Sequence, residues 1–98
     1  MNEPAGTAQT EERLAAGADV LAIKIEDEMV VFHMTQGRYY GLRGAAGLIW
    51  RSIEAGADRE SAIVEEIIAT HRGDPDHIRA DIAKTLTQLK QSGLLVAV

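Results

Sequence analysis

A chain of 98 residues provides one domain with a single hydrophobic core, since most domains contain about 50–250 residues. Fifteen Asp and Glu outnumber ten Lys and Arg, and this net charge of −5 argues against a nucleic-acid partner, which would need a basic face. Because the chain has no cysteine, disulfides, thiolate metal sites and cysteine nucleophiles are excluded.

The N-terminal region is small and polar. Residues 1–17 lack the basic segment and apolar run of a secretory signal, and no later stretch has the apolar length of a membrane span. We therefore predict a cytoplasmic protein without a membrane partner. Residues 1–18 are predicted to form a flexible tail that does not pack, in which residues 10–16 are compatible with a helical turn. The folded domain is predicted over residues 19–98.

The first part of this domain consists of three predicted strands. Val20–Ile25 and Met29–Met34 are short and rich in apolar and β-branched residues, and Tyr39–Leu42 is a third, shorter strand. Gly37 provides the positive φ that a four-residue hairpin loop needs. Tight turns join the strands and no crossover segment separates them, which predicts an antiparallel meander.

The hydrophobic period then changes to that of helices. A first helix ends at Gly56 and includes Trp50, which we assign to the core. Asp58 is the predicted N-cap of a second helix, and Asp74-Pro75 begins a third. The predicted buried faces of the three helices are Ala46, Ile49, Trp50 and Ile53; Ile63, Val64, Ile67 and Ile68; and Ile78, Ile82, Leu86 and Leu89.

The order of these elements indicates the fold class. Strands followed by helices are typical of an α+β domain, and a three-stranded antiparallel sheet followed by three helices is a winged-helix-like arrangement. Residues 94–98 are apolar and are predicted to return to the core as a short extended piece.

The chain shows no pattern that supports catalysis. It has no Ser–His–Asp order with a nucleophile turn, no glycine-rich phosphate loop and no enclosed carboxylate pair. His33, His71 and His77 lack the spacing of metal ligands. We therefore predict a protein that is not an enzyme, with no catalytic residues, no metal and no cofactor.

An ordered set of residues resembles the PqqD-like family. The similarity spans about residues 19–95, nearly the whole predicted domain. The residues that carry it are Val31–Leu42, with an apolar strand, a glycine turn, two tyrosines and a leucine, then Ile49-Trp50, Asp74-Pro75 and Gly93-Leu94-Leu95.

The resemblance implies a recognition element for ribosomally made precursor peptides. The leader segment of such a peptide would add as a fourth strand beside the third strand, with its side chains in a groove against the third helix. The implied partner is a separate modifying enzyme, such as a leader peptidase or a radical-SAM enzyme, in lasso-peptide or related biosynthesis. The implied peptide-binding residues are Tyr39, Tyr40, Gly41 and Leu42 on the strand and Ile78, Asp81, Ile82 and Thr85 on the helix.

Two positions depart from the family pattern. Family members usually have an Asn that caps the first helix, where this chain has Arg43, whose side chain cannot accept a bond from helix N–H groups. An aromatic residue is common in the middle of the last helix, where this chain has Thr85. The first difference predicts that the first helix begins without the usual cap.

Physical reasoning from strand order leads to the same surface. Because the second strand lies in the middle, Tyr39–Leu42 is an edge strand without Lys or Pro, and such an edge can accept an extended peptide.

Other interpretations of the chain stay open. A winged-helix DNA-binding regulator would need a basic recognition helix, and an inert scaffold subunit would pair its edge with a large partner protein. The two tyrosines need no ligand if their rings are half-buried.

Overall fold

The computed structural model describes residues 11–26 and 28–98. These residues form a three-stranded sheet, three helices and a second, two-stranded sheet. The predicted α+β, winged-helix-like order of strands and helices is confirmed. In chain order the elements are β1 (Leu14–Ala16), β2 (Val20–Ile25), β3 (Glu28–His33), β4 (Arg38–Leu42), α1 (Ala45–Glu54), α2 (Glu60–Thr70), α3 (Pro75–Gln91) and β5 (Leu95–Ala97).

β2, β3 and β4 form the predicted antiparallel meander, with β3 in the middle. Val31 of β3 lies opposite Ala22 on one side and Tyr40 on the other. Residues 34–37 connect β3 to β4, and Gly37 has φ 68°, as the hairpin prediction requires. Since side chains alternate along a strand, Val31, Tyr40 and Leu42 share the face that points to the helices.

The helices cover this face and complete the core. Trp50 is 3% exposed and lies in the core, as predicted. The predicted helical stripes are confirmed, and their outermost members are only partly buried. None of the helices among the described residues is both long and apolar enough to cross a membrane. The core of the described residues comprises Leu14, Met29, Val31, Leu42, Ile49, Trp50, Ile63, Val64, Ile67, Ile82, Leu86, Leu89, Leu94 and Leu95.

Two predicted helix starts had different outcomes. Asp74 caps α3 as predicted, because its carboxylate accepts a hydrogen bond from a first-turn backbone N–H at 3.2 Å, and Pro75 occupies the first helical position. The prediction that Asp58 caps α2 is wrong. The N-cap residue is Arg59, and the Asp58 carboxylate forms an ion pair with Arg13 at 3.0 Å instead.

The start of α1 has no side-chain cap, as its sequence predicts. Its N-cap residue is Gly44, with φ 57° and no capping side-chain hydrogen bond. The neighbouring Arg43 forms an ion pair with Glu28 at 2.7 Å. This pair continues the β3–β4 ladder one residue past its last strand pair.

The prediction of a flexible tail over residues 1–18 is wrong for residues 14–16, and residues 1–10 lie outside the described residues. Leu14–Ala16 forms β1, which pairs antiparallel with β5, and the Leu14 side chain is 3% exposed. Gly17 permits this close approach, since a Cβ there would lie 2.9 Å from the Gly93 carbonyl oxygen. The prediction that residues 94–98 return to the core as an extended segment is confirmed, since they contain β5. The sequence did not predict that β1 is the partner strand of β5.

Glu11 supplies the cap that the sequence around α2 lacks. Its carboxylate accepts hydrogen bonds from the Ser61 backbone N–H and from the Ser61 hydroxyl, both at 2.8 Å. The first N–H groups of a helix have no partner within the helix and favour a negative charge. The Ser61 backbone bond, with the hydroxyl bond, holds the pKa of Glu11 below its ordinary value of 4.5.

Glu11→Ala is expected to destabilise the domain by about 1 kcal/mol at neutral pH, because the cap is lost. Since the folded-state pKa is lowered, this contribution is full above the unfolded-state value and is lost as the pH falls through the folded-state value. Urea unfolding at neutral pH and at about pH 3 should therefore show a smaller difference in acid. Glu65→Ala, on an exposed position of α2, is the control and should change stability by less than about 0.5 kcal/mol. An E11A deficit that is equal at both pH values would contradict the charged cap.

Candidate peptide-binding groove

The directions of the main-chain N–H and C=O groups in β3 show which of these groups are already hydrogen-bonded within the sheet. The Met34 backbone N–H donates to the Asp19 carbonyl oxygen, on the β2 side of β3. The C=O of His33 belongs to the same trans peptide unit and therefore points the opposite way, toward β4. The Gly37 N–H donates to that His33 oxygen at 2.8 Å, in agreement with this direction.

Main-chain N–H and C=O groups alternate in direction along a strand, so the same reasoning assigns their directions in β4. The edge of β4 that faces away from β3 has no strand partner among the described residues. His33 pairs with Arg38, so Arg38 and, two residues later, Tyr40 direct their main-chain groups to β3. The N–H and C=O groups of Tyr39 and Gly41 therefore point out of the sheet at the free edge. An added strand would form its hydrogen bonds with these two residues.

Two concavities, of about 600 and 230 Å³, lie at the C-terminal and N-terminal ends of α3 and share no lining residue. We call the free β4 edge, α3 and these two concavities together the groove, and the two concavities its ends. The larger, which we call the tyrosine end, lies between the start of β4 and the end of α3 and is lined by Gln36, Arg38, Tyr40, Gln91 and Ser92. The smaller, the histidine end, lies among the starts of α1 and α3 and the end of α2, and is lined by Gly44, Ala45, Leu48, Ile67, His71, Arg72, His77, Ile78, Asp81 and Ile82.

A chain of hydrogen bonds fixes the tyrosine end. The Tyr40 hydroxyl donates to Gln36 Oε1 at 2.6 Å, and Gln36 Nε2 donates to the Ser92 carbonyl oxygen at 2.9 Å. The Gln36 backbone N–H donates to His33 Nδ1 at 3.2 Å. These bonds tie the β3–β4 turn to the C-terminal end of α3, so they set the position of the strand relative to the helix.

Five of the eight predicted site residues line the groove or lie beneath it. Tyr40 lines the tyrosine end, and Ile78 and Asp81 line the histidine end, where Ile78 is half-buried and Asp81 is exposed. Leu42 and Ile82 are core residues, 6% and 1% exposed; Ile82 forms the floor of the histidine end, and Leu42 lies beneath the groove. The groove therefore presents an apolar floor with polar side chains above it.

The other three predicted residues line neither end. Tyr39 and Gly41 offer main-chain groups at the edge, and the Tyr39 ring lies on the opposite face of the sheet, 69% exposed, with its centroid 4.5 Å from that of Phe32. The Thr85 hydroxyl donates to the Asp81 carbonyl oxygen at 2.8 Å within α3. No concavity of the described residues at this groove includes Thr85.

Sequence reasoning missed most of the polar lining. Gln36 lies in the β3–β4 turn and Arg38 at the start of β4, while Arg72 lies in the loop between α2 and α3 and His77 in the first turn of α3. Side-chain direction in loops follows no period, so the sequence gives no signal for Gln36 and Arg72. Leu48 was detectable, because it is an apolar residue outside the predicted core stripe of α1.

The histidines do not form a metal site in the part of the chain that the structure describes. No group of three or more His, Asp or Glu side chains there is arranged to hold a metal ion. His33 is 9% exposed and accepts the turn hydrogen bond already described, so its role is structural. His71 and His77 both line the histidine end of the groove.

The sheet face that points away from the helices is apolar and exposed. Leu21, Ile23 and Ile25 of β2 are 52%, 41% and 53% exposed. Phe32 and Tyr39 continue this surface across β3 and β4, since they lie opposite one another and opposite Leu21. We call these five residues the outer sheet face. Contiguous apolar surface of this kind often marks a protein contact site.

Comparison with protein families accounts for this arrangement. The family model for PqqD, described as coenzyme PQQ synthesis protein D, matches residues 28–95. The chain belongs to the PqqD family. The matched region runs from β3 to the first residue of β5 and so includes both walls of the groove. Among curated proteins, no sequence matches the chain at a significant level.

Two solved structures are similar to this PqqD-family chain. A complex of TbiB1 with the TbiA(beta) leader peptide has a TM-score of 0.75 at 31% identity and covers 82% of this chain and 92% of that one. A lasso peptide synthetase B1 complexed with the leader peptide also has a TM-score of 0.75, at 19% identity, and covers 86% of this chain and 98% of that one. The second similarity is evidence for the fold alone.

Proposed function

We propose that this protein binds the leader segment of a ribosomally made precursor peptide and presents it to a separate maturation enzyme, without chemistry of its own. The observation that carries the proposal is the free edge of β4 beside the groove formed with α3. An extended peptide on such an edge gains main-chain hydrogen bonds, and the pockets beside it give specificity. The likeness to TbiB1, which was solved with a leader peptide, supports the same use of this fold.

The bound leader has a defined geometry under this proposal. Its main chain bonds to the N–H and C=O groups of Tyr39 and Gly41 and runs along α3. Alternate leader side chains point toward the two groove ends, and the others point toward the outer sheet face. Tyr40 and Ile78 contact the first set, and Tyr39 contacts the second.

The β4 edge suits a peptide better than the β2 edge does. β2 is the other edge of the same sheet, but Lys24 lies within it, and a lysine on an edge strand opposes the addition of another strand. The tyrosine end is lined by Arg38 and Tyr40 of β4, whereas no residue of β2 lines any of the described concavities. We therefore assign the leader to β4.

The alternative of a DNA-binding regulator is disfavoured by α3, which would be its recognition helix. Arg79 of α3 forms an ion pair with Asp76 at 3.1 Å, and Lys90 forms one with Glu12 at 2.5 Å. Asp81 adds a further negative charge on the groove side. Two of the three Lys and Arg residues of α3 are compensated in this way, and only Lys84 has no partner among the described residues and is left for phosphate contacts.

Calorimetry with the cognate leader, a synthetic peptide with the sequence of the leader segment of its precursor, tests the proposal. We expect one-to-one binding whose affinity falls far less between about 50 and 200 mM salt than duplex-DNA binding would, because main-chain hydrogen bonds dominate it. A regulator would instead bind duplex DNA with a steep salt dependence. Absence of leader binding, or tight salt-sensitive binding to DNA, would contradict the proposal.

The outer sheet face is the surface we assign to the maturation enzyme. It adjoins the leader strand through Tyr39, so an enzyme docked there would contact the sheet and the outward leader side chains together. Apolar surface also suits a stable protein contact better than the acidic remainder of the chain does.

Ile23→Glu is expected to leave leader affinity within about twofold of wild type, because Ile23 lies on β2, away from the groove. Delivery of the leader to the enzyme should fall by about tenfold or more, since a charge is buried at the contact. The rate at which the maturation enzyme processes the precursor, measured with this protein at limiting concentration, tests this expectation. Glu66→Lys, on the exposed face of α2, is the control and should leave processing unchanged. Unchanged processing with I23E would place the enzyme on another surface.

A further inference from the structure

The charges around the groove differ in sign from those of the whole chain. The chain has fifteen Asp and Glu against ten Lys and Arg. A third concavity, of about 420 Å³, adjoins the histidine end and shares Gly44 and Leu48 with it. Together, the three concavities are lined by four arginines and two carboxylates, namely Arg38, Arg43, Arg51 and Arg72 with Glu28 and Asp81.

Ion pairs within the protein neutralise only part of this positive charge. Arg43 is paired with Glu28. The side chains of Arg38 and Arg72 are exposed, and neither guanidinium makes a hydrogen bond or ion pair with another described residue. Arg72 and Asp81 line the same concavity but are not an ion pair. Each end of the groove therefore has one arginine without a partner among the described residues.

The separation of these two arginines predicts a spacing in the ligand. Arg38 lies on the helix-facing side of β4, like Tyr40, and the first lining residue of the histidine end, Gly44, follows six residues later in the chain. A strand added along β4 advances about 3.3 Å per residue, so six of its residues would cover about 20 Å, and we take this as the expected spacing between its contacts with the two ends. Residues an even number apart on an added strand face the same side. Positions i and i+6 of the leader would therefore both point toward α3.

We propose that the leader bound by this protein is acidic at both ends of its pairing segment, with one carboxylate on Arg38 and another, about six residues away, on Arg72. This inference rests on the proposed leader-binding function and adds the charge pattern of the ligand. Guanidinium groups bind carboxylates through two parallel N–H···O bonds, so each arginine selects an Asp or Glu over an amide. The local positive charge also draws an acidic peptide to the groove of an otherwise acidic protein.

A display library of random peptides of about twelve residues, selected on the full chain, tests this charge pattern. We expect enriched peptides to carry Asp or Glu pairs about six positions apart. Replacement of either acid by its amide should weaken binding about two- to fivefold, and the effect should shrink in high salt. The Arg72→Glu variant should enrich Lys or Arg at one of the two positions. Arg79→Gln, which removes a cation of α3 outside the groove, is the control and should leave the enrichment unchanged.

Two negative results are distinguishable with the Gly41→Pro variant, which removes the hydrogen-bond donor of Gly41 at the β4 edge. Enriched peptides that lose affinity for G41P but carry no excess of spaced acids would overturn the charge pattern and leave leader binding standing. Enriched peptides that bind G41P as well as they bind wild type would show that the groove is not the binding site, which would overturn both proposals.

Discussion

Gly41→Pro is expected to weaken binding of the cognate leader by about ten- to a hundredfold while the domain stays folded. The Gly41 N–H points to the free edge, so proline removes a donor to the leader and leaves the β3–β4 ladder intact. An unmade main-chain hydrogen bond leaves its buried partner unsatisfied, which costs about 1–3 kcal/mol, and each 1.4 kcal/mol is about tenfold in affinity. Calorimetry with the leader measures the loss, and thermal unfolding verifies the fold.

Gly41→Ala is the matched control for this variant. A Cβ at Gly41 would have nothing within 4 Å, and alanine keeps the backbone N–H. Its affinity for the leader should therefore remain within about twofold of wild type. If G41P bound the leader as tightly as G41A, the main chain of Gly41 would play no part in binding and the strand-addition geometry would be wrong.

Leu14→Ala is expected to destabilise the domain by about 2–5 kcal/mol, which lowers the melting temperature by roughly 10–40 °C. The Leu14 side chain is 3% exposed, and β1 holds it against the core by pairing with β5. A loss of this size is a large fraction of the about 5–15 kcal/mol that stabilises a typical domain. Thermal and urea unfolding at neutral pH measure it.

Ala16→Ser, at an exposed position of the same strand, is the control for Leu14→Ala and should change stability by less than about 0.5 kcal/mol. Equal stabilities of L14A and A16S would mean that β1 contributes nothing to the core. The folded domain would then begin near residue 19, as composition alone suggested.

The main sheet and the helices could be predicted because their signals are local. The alternation in Val20–Ile25, the turn glycine Gly37 and the Asp74-Pro75 helix start each depend on neighbouring residues, and all three agree with the structure. The apolar stripe of α1 was predictable for the same reason, since helical spacing alone assigns Trp50 to the core.

β1 and the cap of α2 could not be predicted because they depend on contacts between distant parts of the chain. Leu14–Ala16 is three residues long and composed mainly of alanine, so nothing nearby identifies a strand until β5 is placed beside it. Likewise, Glu11 caps Ser61 across about fifty residues of sequence. Asp58 has the composition of a cap, but its pairing with Arg13 directs its carboxylate elsewhere.

The sequence predicts the two elements that form the candidate site, the β4 edge and α3, but not the side chains that line the groove between them. Strand order makes β4 an edge, and helical spacing puts Ile78 and Ile82 on one side of α3. Which polar side chains complete the groove depends on loops, as Gln36 and Arg72 show. The binding roles of the eight predicted residues therefore stay a prediction, to which the structure adds a division between main-chain and side-chain contributions.

Amide hydrogen exchange with and without the cognate leader tests strand addition most directly. We predict that the N–H groups of Tyr39 and Gly41 become strongly protected on leader binding, while those of Tyr40 and Leu42, already bonded to β3, change little. An unchanged exchange rate at Tyr39 and Gly41, with new protection along β2 instead, would show that the leader occupies the other edge of the sheet and would contradict the account.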